Sequence, residues 1–305
     1  MSKNSEQNPA QKKRTRDVIE ETFARYEPKE ETPPLPKIEE PPSRVVSGEK
    51  VHEPLMTQPQ PEASPKIVST GIPGIDAALG GGIPSHSLIL ICGEVGSNHD
   101  VFTHQILYNH TQENGKTAYY LAETLSVDIQ EQMEKFNWTI KDALNSENWK
   151  FIDMHTPDLQ QLANLYPKRL TDKTTIKLTP QLNTLKTDLL TKTKEGYWTA
   201  IELGHLLSTY DTKELINLML YWRATTRTHG GLHFALLPTG VHPETQINAL
   251  KNIADGVIEF SLKQGPHEFE NNLTIKKMKN LLKPLILTFT TDENGINIDT
   301  AARIT

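Results

Sequence analysis

The sequence predicts an α/β protein in which a mostly parallel sheet is flanked by helices. The continuous apolar run at residues 88–92 and the largely apolar segment at 232–238 are typical of strands that are buried on both faces. Segments with apolar residues at helical spacing, such as residues 180–191 and 211–229, alternate with those runs along the chain. This alternation places parallel strands in one sheet and packs the helices on its two faces.

The first 66 residues differ in composition from residues 67–305, which we expect to form the folded domain. They hold 11 of the 20 prolines, with mixed charges and few large apolar residues. Such a segment buries too little surface to offset its chain entropy, so we predict a disordered, Pro-rich charged tail. Residues 16–27 are amphipathic and carry Ile19 and Phe23 on one helical face. They fold onto a protein partner or remain a transient helix, and the sequence leaves both alternatives open.

Charge, cysteine content and hydropathy exclude several classes of protein. The net charge is -6, and residues 67–305 carry 21 Lys and Arg against 26 Asp and Glu, so nucleic-acid binding would depend on a local patch such as residues 276–283. The single cysteine, Cys92, excludes an intramolecular disulfide. No apolar run approaches the length of a membrane span, and we expect no secretory leader. These features predict a cytoplasmic protein without membrane contact.

Residues 88–102 carry the candidate nucleotide site. An apolar strand, a glycine-containing loop and an amphipathic helix follow one another there, which is the layout of a phosphate-binding loop, G-x-x-x-x-G-K-[ST]. Asn98, His99 and Asp100 stand where that pattern has its second glycine, its lysine and its Ser/Thr. The whole candidate loop consists of Gly93, Glu94, Val95, Gly96, Ser97, Asn98, His99 and Asp100.

All three replacements are unfavourable for phosphate binding. His99 is mostly neutral near pH 7, whereas lysine is permanently charged. Asp100 adds a negative charge beside a polyanion. Asn98 tolerates a left-handed backbone but brings a side chain where glycine leaves room. We therefore expect ATP or ADP with magnesium to bind weakly, if at all; the alternative is a strand–turn–helix with no ligand history.

Two further segments carry a family resemblance. Residues 69–84, STGIPGIDAALGGGIP, are similar to the segment that opens the ATPase domain in the KaiC/RadA branch of the RecA superfamily. In that family the segment leads directly into the strand before the phosphate loop, and this chain keeps the order and spacing. Residues 249–260, ALKNIADGVIEF, are similar to the end of KaiC-like domains. The resemblance covers about residues 67–305 and implies a RecA-like fold of archaeal type.

The resemblance also implies roles for individual residues. In the KaiC family the strand at 117–122 ends in two glutamates that polarise the attacking water; Glu123 matches the first, and Thr124 replaces the second. The aspartate that holds magnesium is absent, and Glu202 is the nearest acidic remnant. Lys277 and Lys279 match a Lys-x-Arg that reaches the nucleotide of a neighbouring subunit. The alternative is that Lys276, Lys277 and Lys279 form an edge-strand charge cluster that prevents aggregation.

Three functions are compatible with these observations. The first is a pseudo-ATPase kept as a regulatory or signalling interaction scaffold, whose tail recruits a protein partner. The second is a nucleotide-binding or weakly active ATPase that uses His99 as a donor, Glu123 as base and Glu202 for the metal. It requires a homo-oligomer, in which Lys277 and Lys279 of a neighbour supply positive charge. The third is a recombinase-like accessory protein in DNA repair.

Overall fold

The fold is taken from a computed structural model of the chain, which describes residues 66–154, 176–178, 181–265 and 269–298. The strands within these ranges are β1 Ile67–Val68, β2 Ile83–Pro84, β3 Ser87–Gly93, β4 Lys116–Leu121, β5 Trp149–Asp153, β6 Ile176–Lys177, β7 Tyr197–Glu202, β8 Leu232–Pro238, β9 Gly256–Gln264, β10 Phe269–Lys277, β11 Leu285–Asp292 and β12 Gly295–Ile298. The helices are α1 Pro73–Ala78, α2 His99–Gln112, α3 Ser126–Glu134, α4 Lys141–Asn145, α5 Leu182–Lys194, α6 Gly204–Thr209, α7 Thr212–His229 and α8 Glu244–Ile253. The predicted tail up to residue 65, its 16–27 segment and a helix predicted at 158–165 lie outside the described residues.

Ten of these strands form one sheet in the order β12-β11-β10-β9-β3-β8-β7-β4-β5-β6. Strand β3 lies between β8 and β9 and is parallel to both. The parallel part continues through β7, β4, β5 and β6, whereas β10, β11 and β12 join β9 in an antiparallel extension. The predicted mostly parallel sheet with flanking helices is therefore confirmed.

The sheet is covered by apolar side chains on both faces, which explains the unbroken apolar run at β3. Ile89 and Ile91 pack into one core cluster, which contains Phe102 of α2. Leu88, Leu90 and Cys92 pack into the other cluster, which contains residues of α7. Because successive side chains of a strand point to opposite faces, a strand covered on both faces is apolar at most of its positions.

The family-like segment at residues 69–84 is held by its own polar residues. The Asp76 carboxylate accepts hydrogen bonds from the Ser69 hydroxyl at 2.6 Å and from the Thr70 amide and hydroxyl, both at 2.8 Å. Gly71 adopts a φ of 71°, and its backbone lies against Asn109 of α2 with no room for a Cβ atom. The Thr-Gly and Asp of this motif thus fix the path of the chain before β3.

One stretch differs from the sequence-based expectation. Residues 168–178 are predicted as a loop, but Ile176 and Lys177 form β6 and pair with β5. The prediction was wrong for these two residues. The segment is polar, and its short strand is held by backbone hydrogen bonds to the outer edge of β5. Backbone pairing of this kind requires no particular side chains, so the sequence shows no pattern for it.

A buried histidine joins the strands at the end of the sheet opposite the candidate loop. His233 of β8 lies 2.7 Å from the Thr199 hydroxyl through Nδ1 and 2.9 Å from the Gly230 carbonyl oxygen through Nε2. Burial lowers the pKa of the His233 imidazole to about 4. The histidine is therefore neutral at physiological pH and acts as a structural hydrogen-bonding group.

Candidate functional site

The candidate site lies where the parallel strands end at their carboxyl edge. Strand β3 leads into the candidate loop, β4 ends just before Glu123, and β7 ends at Glu202. Between these ends and helix α3 is a cavity of about 400 Å³, named here the edge cavity. Its lining includes His99, Asp100, His104, Tyr119, Glu123, Thr124, Asp128, Gln132, Lys135 and Glu202. Parallel sheets usually have their binding sites at the carboxyl ends of the strands. The sequence predicts Glu123 at such a strand end, and it lies there.

The candidate loop is fastened to both neighbouring strands. The Thr239 amide, just after β8, donates to the Gly93 carbonyl at 2.8 Å. On the β9 side, the Glu94 amide donates to the Phe260 carbonyl at 3.3 Å, and the Glu94 carboxylate accepts from the Leu262 amide at 3.2 Å. The loop closes on itself through a 3.1 Å bond from the Ser97 amide to the Glu94 carbonyl. These hydrogen bonds hold the backbone of the loop against both neighbouring strands.

His99 occupies the inside of this loop. Its imidazole lies so close to Gly93 that a Cβ atom there would collide with the ring. Its Nδ1 is 3.4 Å from the hydroxyl of Ser97, which is fully buried. Burial lowers the pKa of His99, although Asp100 and Glu123 oppose this effect. An uncharged ring therefore spans the loop where the pattern has a flexible, permanently charged lysine.

Asn98 takes the backbone conformation that its position requires. Its φ of 57° and ψ of 26° are left-handed, as the sequence-based argument allows for asparagine. Its side-chain amide donates to the Thr291 hydroxyl at 3.1 Å. The residue in the place of the second glycine therefore ties the start of α2 to strand β11.

Asp100 belongs to a chain of polar groups between α2, α3 and β4. Its carboxylate accepts a 2.7 Å hydrogen bond from the Gln132 amide. Burial alone would raise the pKa of Asp100, but His104, the Gln132 hydrogen bond and His99 outweigh it, so the net shift is downward. Asp100 is therefore an anion at neutral pH, beside the point where a phosphate would lie.

Glu202, the predicted metal remnant, has a different set of partners. One carboxylate oxygen, Oε2, accepts hydrogen bonds from the amides of Ala122, Glu123 and Thr124, at 2.8, 2.6 and 3.1 Å. Burial raises the pKa of Glu202, and those backbone donors oppose the rise. Within the described ranges, no group of three or more His, Cys, Asp or Glu is arranged to hold a metal ion. Glu202 thus fixes the turn after β4, and its metal role stays a prediction.

Glu123, the predicted remnant base, borders the edge cavity. Its Oε1 accepts a 2.6 Å hydrogen bond from the His205 amide in the first turn of α6. The carboxylate therefore links the ends of β4 and β7. It is exposed and lines the same cavity as His99, so the structure brings together these two predicted residues and Glu202.

Lys277 and Lys279 lie at the far end of the sheet from the edge cavity. The Lys277 amine donates to the carbonyls of Ala254 and Asn252, at 2.6 and 3.1 Å. The Lys279 amine donates to the His86 carbonyl at 2.9 Å and lies 3.5 Å from Asp255. Strand β10 pairs with β9 up to Lys277 but with β11 only up to Ile275, so the lysines lie past the β11 pairing and the edge-cluster alternative also stays a prediction. Their reach to a neighbouring subunit stays a prediction.

Sequence reasoning missed two groups of residues. The first is a group of polar residues next to Asp100, namely His104, Tyr119 and Gln132. The helices and strand that carry them were predicted from their apolar residues alone. The second is the Asp255 carboxylate, which accepts from the Leu88 amide at 3.2 Å and from Arg227 at 2.7 Å. A charged residue directly before an apolar strand was the available signal for Asp255.

The fold and the loop at the end of β3 define an α/β domain of the RecA-like class. A family model described as the KaiC ATPase matches residues 68–193. A UPF0273 protein of Thermotoga maritima is 32% identical over 98 residues, covering 32% of this chain and 40% of that protein. A UPF0273 protein of Methanocaldococcus jannaschii is 35% identical over 92 residues, covering 30% and 38%. The circadian clock protein KaiC3 of Synechocystis is 31% identical over 86 residues, covering 28% and 17%.

Solved structures extend the likeness beyond that region. A KaiC-like protein of Pyrococcus horikoshii matches with a TM-score of 0.58 and 18% identity, over 77% of this chain and 99% of its own. The flagellar accessory protein FlaH of Methanocaldococcus jannaschii matches with a TM-score of 0.57 and 18% identity, over 78% and 99%. The predicted resemblance to KaiC-like ATPases is therefore confirmed for residues 68–193, and the solved structures show the same fold over a larger part of the chain. The match spans about 40% of the length of the first curated relative.

No helix in the described part of the chain is long and apolar enough to cross a bilayer.

Proposed function

We propose that this protein is a catalytically degenerate KaiC-like domain, a pseudo-ATPase that serves as a regulatory or signalling scaffold. The observation that carries the proposal is the His99 ring, which packs on Gly93 and reaches Ser97 across the candidate loop. A phosphate-binding loop needs that space, together with backbone amides turned towards it and a lysine charge. Here the space holds a neutral imidazole, and Asp100 adds negative charge beside it.

The remaining catalytic remnants are also engaged in structural contacts. Glu202 holds three backbone amides and Glu123 caps α6. Both contacts stabilise the carboxyl edge of the sheet, which supports a structural role for the two carboxylates. In this proposal the predicted tail, residues 1–66, recruits a protein partner to the domain.

Calorimetry with ATP and ADP in the presence of magnesium tests the proposal on the full chain. The natural protein is expected to show no binding tighter than about 1 mM, which corresponds to about 4 kcal/mol. A variant with Asn98→Gly, His99→Lys and Asp100→Thr restores the loop pattern. It is expected to gain at least tenfold in affinity, because it supplies the charge and removes both the ring and the carboxylate.

A His229→Lys variant is the matched control, since it adds the same charge at the exposed end of α7 and should gain nothing. Micromolar binding of MgATP by the natural protein would overturn the proposal. It would favour the alternative of a nucleotide-binding, weakly active ATPase with His99 as a donor. Loss of that binding in His99→Ala would then identify the histidine as a ligand.

A further inference from the structure

A second cavity lies near the amino end of β3, at the far end of the sheet from the edge cavity. It has a volume of about 190 Å³ and is named here the basic pocket. Helix α7, the residues that follow α8 and the end of β10 form its walls. The charged residues of its lining, within the described part of the chain, are Arg223, Arg227, Lys277, Lys279 and Asp255. Four basic groups against one carboxylate make the pocket electropositive.

Asp255 neutralises only part of this charge. Its carboxylate is almost completely buried, and Oδ2 accepts a hydrogen bond from the Leu88 amide at 3.2 Å. Its Oδ1 lies 2.7 Å from the Arg227 guanidinium and 3.5 Å from the Lys279 amine. The carbonyl groups at the end of α8 add only about half a negative elementary charge. More than two positive charges of the lining therefore remain without compensation.

The basic groups also repel one another. Arg223 and Arg227 are four residues apart on α7, a spacing at which like charges destabilise a helix. Burial lowers the pKa of the Lys277 amine, and the positive charges of both arginines lower it further, whereas Asp255 opposes the shift. The arrangement therefore carries a free-energy cost that a bound anion would relieve.

The two arginines use few of their donors for contacts within the domain. One N–H group of Arg223 donates to the Ile253 carbonyl at 2.7 Å, and one of Arg227 donates to Asp255 at 2.7 Å. A guanidinium has five N–H donors in a planar fork. In the described part of the chain, these contacts leave most donors of both guanidinium groups available to a ligand.

We propose that the basic pocket binds a phosphate monoester on a side chain of a protein partner. Guanidinium forks match the oxygens of a phosphate and bind them in pairs. A phosphorylated side chain carries about −1.5 to −2 charges at neutral pH and has three strong acceptor oxygens, which suits the uncompensated charge of this lining. A carboxylate or a phosphodiester carries one negative charge and would compensate less of it.

The size of the basic pocket indicates that the phosphate belongs to a larger molecule. Pockets that enclose a small-molecule ligand have volumes of roughly 300–1,000 Å³, whereas this one has about 190 Å³. It accommodates the phosphate and the first atoms next to it, while the rest of the ligand lies on the surface. The inference rests on the proposed function, because a scaffold has to recognise a partner.

The basic pocket differs from the inter-subunit contact that the family resemblance implies. That contact would use Lys277 and Lys279 to reach a nucleotide of a neighbouring subunit. Here the arginine pair of α7 forms the centre of the site, and the pocket is too small to enclose a nucleotide.

Three peptides that differ in one side chain test the preference for a phosphate monoester. Calorimetry on the full chain at pH 7 and physiological salt compares acetyl-Gly-Xaa-Gly-amide in which Xaa is phosphoserine, aspartate or serine. The phosphoserine peptide is expected to bind at least tenfold more tightly than the aspartate peptide, and the serine peptide should give no heat. Equal binding of the first two, or no heat from phosphoserine peptide up to about 10 mM, would overturn the inference. Tighter binding of an oligothymidylate than of the phosphoserine peptide would also overturn it, in favour of a nucleic-acid surface.

Substitutions on one helix locate the phosphate in the basic pocket. Arg223→Gln should weaken binding of the phosphoserine peptide about five- to tenfold, and Arg223→Lys should recover only part of this loss because lysine lacks the fork. Lys213→Gln is the matched control, since it removes one positive charge from an exposed position in the first turn of α7 and should have no effect. An equal effect of Arg223→Gln and Lys213→Gln would mean diffuse attraction and would sink the inference.

Nitrogen NMR of the arginine side chains gives a readout on the natural protein. The phosphoserine peptide should shift the Nε resonances of Arg223 and Arg227, and the serine peptide should leave them in place. Unchanged resonances at saturating phosphoserine peptide contradict the assigned site. The nucleotide titration is read separately, because it reports on the candidate loop at the other end of the sheet. Binding of MgATP that is lost in His99→Ala overturns the proposed function, whereas failure of the phosphoserine peptide to bind overturns only this inference.

Discussion

His233 shows how much of this fold depends on single buried polar residues. It lies fully buried in β8, where one ring nitrogen contacts the Thr199 hydroxyl and the other contacts the Gly230 carbonyl. Burial brings its pKa from the ordinary 6.5 to about 4. A proton on this ring would place a charge inside the sheet and would reverse the hydrogen bond with Thr199, whose hydroxyl donates to Nδ1 while Nε2–H donates to the Gly230 carbonyl.

A pH dependence of stability follows from that shift. Between pH 6.5 and pH 4 the unfolded chain binds a proton at His233 that the folded chain does not bind. The contribution is therefore fully present above pH 6.5 and is lost as the pH falls towards 4, by about 3 kcal/mol at most. Urea unfolding at pH 7.0 and pH 4.5 should show a clearly smaller loss of stability in His233→Gln than in the natural protein.

The exposed His229 provides the control for this experiment. His229→Gln changes the same residue type at the end of α7, where the imidazole is exposed, and should keep the full loss of stability. A His233→Gln protein that loses as much stability as the natural one would show that other groups govern the acid range.

At the scale of elements, the start of helix α2 determines the shape of the candidate loop. The helix begins at His99, directly after a left-handed residue, Asn98, whose side chain holds Thr291. Glycine adopts this conformation freely, asparagine at a small cost, and alanine at a cost of roughly 1–2 kcal/mol. The junction thus accepts a glycine, as the phosphate-loop pattern has, without any change of backbone.

Two substitutions at Asn98 test this account of the junction. Asn98→Ala should lower the free energy of unfolding by about 2 kcal/mol, through backbone strain and the lost hydrogen bond to Thr291. Asn98→Gly should stay within about 1 kcal/mol of the natural protein, because only the hydrogen bond is lost. Thermal or urea unfolding of both variants measures these free energies. A Thr291→Val variant measures the contribution of the Asn98–Thr291 hydrogen bond by itself. Equal losses in the alanine and glycine variants would contradict a backbone origin.

The helices and strands of the core were largely predictable, because buried elements show a regular spacing of apolar residues in the sequence. Strand β8 was predicted with its observed bounds, and α7 differs by one residue at its start. The helix predicted at 180–191 is observed as Leu182–Lys194. The two-residue strand β6 was missed because backbone pairing at a sheet edge requires no particular side chain.

The sequence predicted which residues belong to the candidate site, but not which groups their side chains contact. The loop order and the resemblance located His99, Glu123 and Glu202, which all line one cavity. That the His99 ring packs on Gly93, and that Glu202 holds three amides, depends on side-chain directions across neighbouring strands. Residues such as Gln132 have no motif, and only the packing of α3 against α2 brings them to the site.

At the scale of the whole molecule, the described core includes both faces of the sheet within residues 66–298. We predict that the chain without residues 1–66 folds independently, with a thermal midpoint within about 2 °C of the full chain. Limited proteolysis of the full chain should remove the predicted tail first and leave a stable fragment that begins near residue 67, as mass spectrometry would show. A shift of more than about 5 °C, or cleavage within the sheet before the tail, would refute this division.

The central place of β3 has a consequence for biosynthesis. Its two partner strands, β8 and β9, lie far along the chain, with Gly93 opposite Pro238 on one side and Phe260 on the other. At ~5–20 residues per second, a ribosome takes roughly 10–30 s to pass from the end of β3 to the end of β9. During most of that time the nascent chain exposes an apolar strand with neither neighbour available, and after β8 is made it still lacks β9. We therefore expect the nascent chain to be most prone to aggregation before β8 and β9 have emerged.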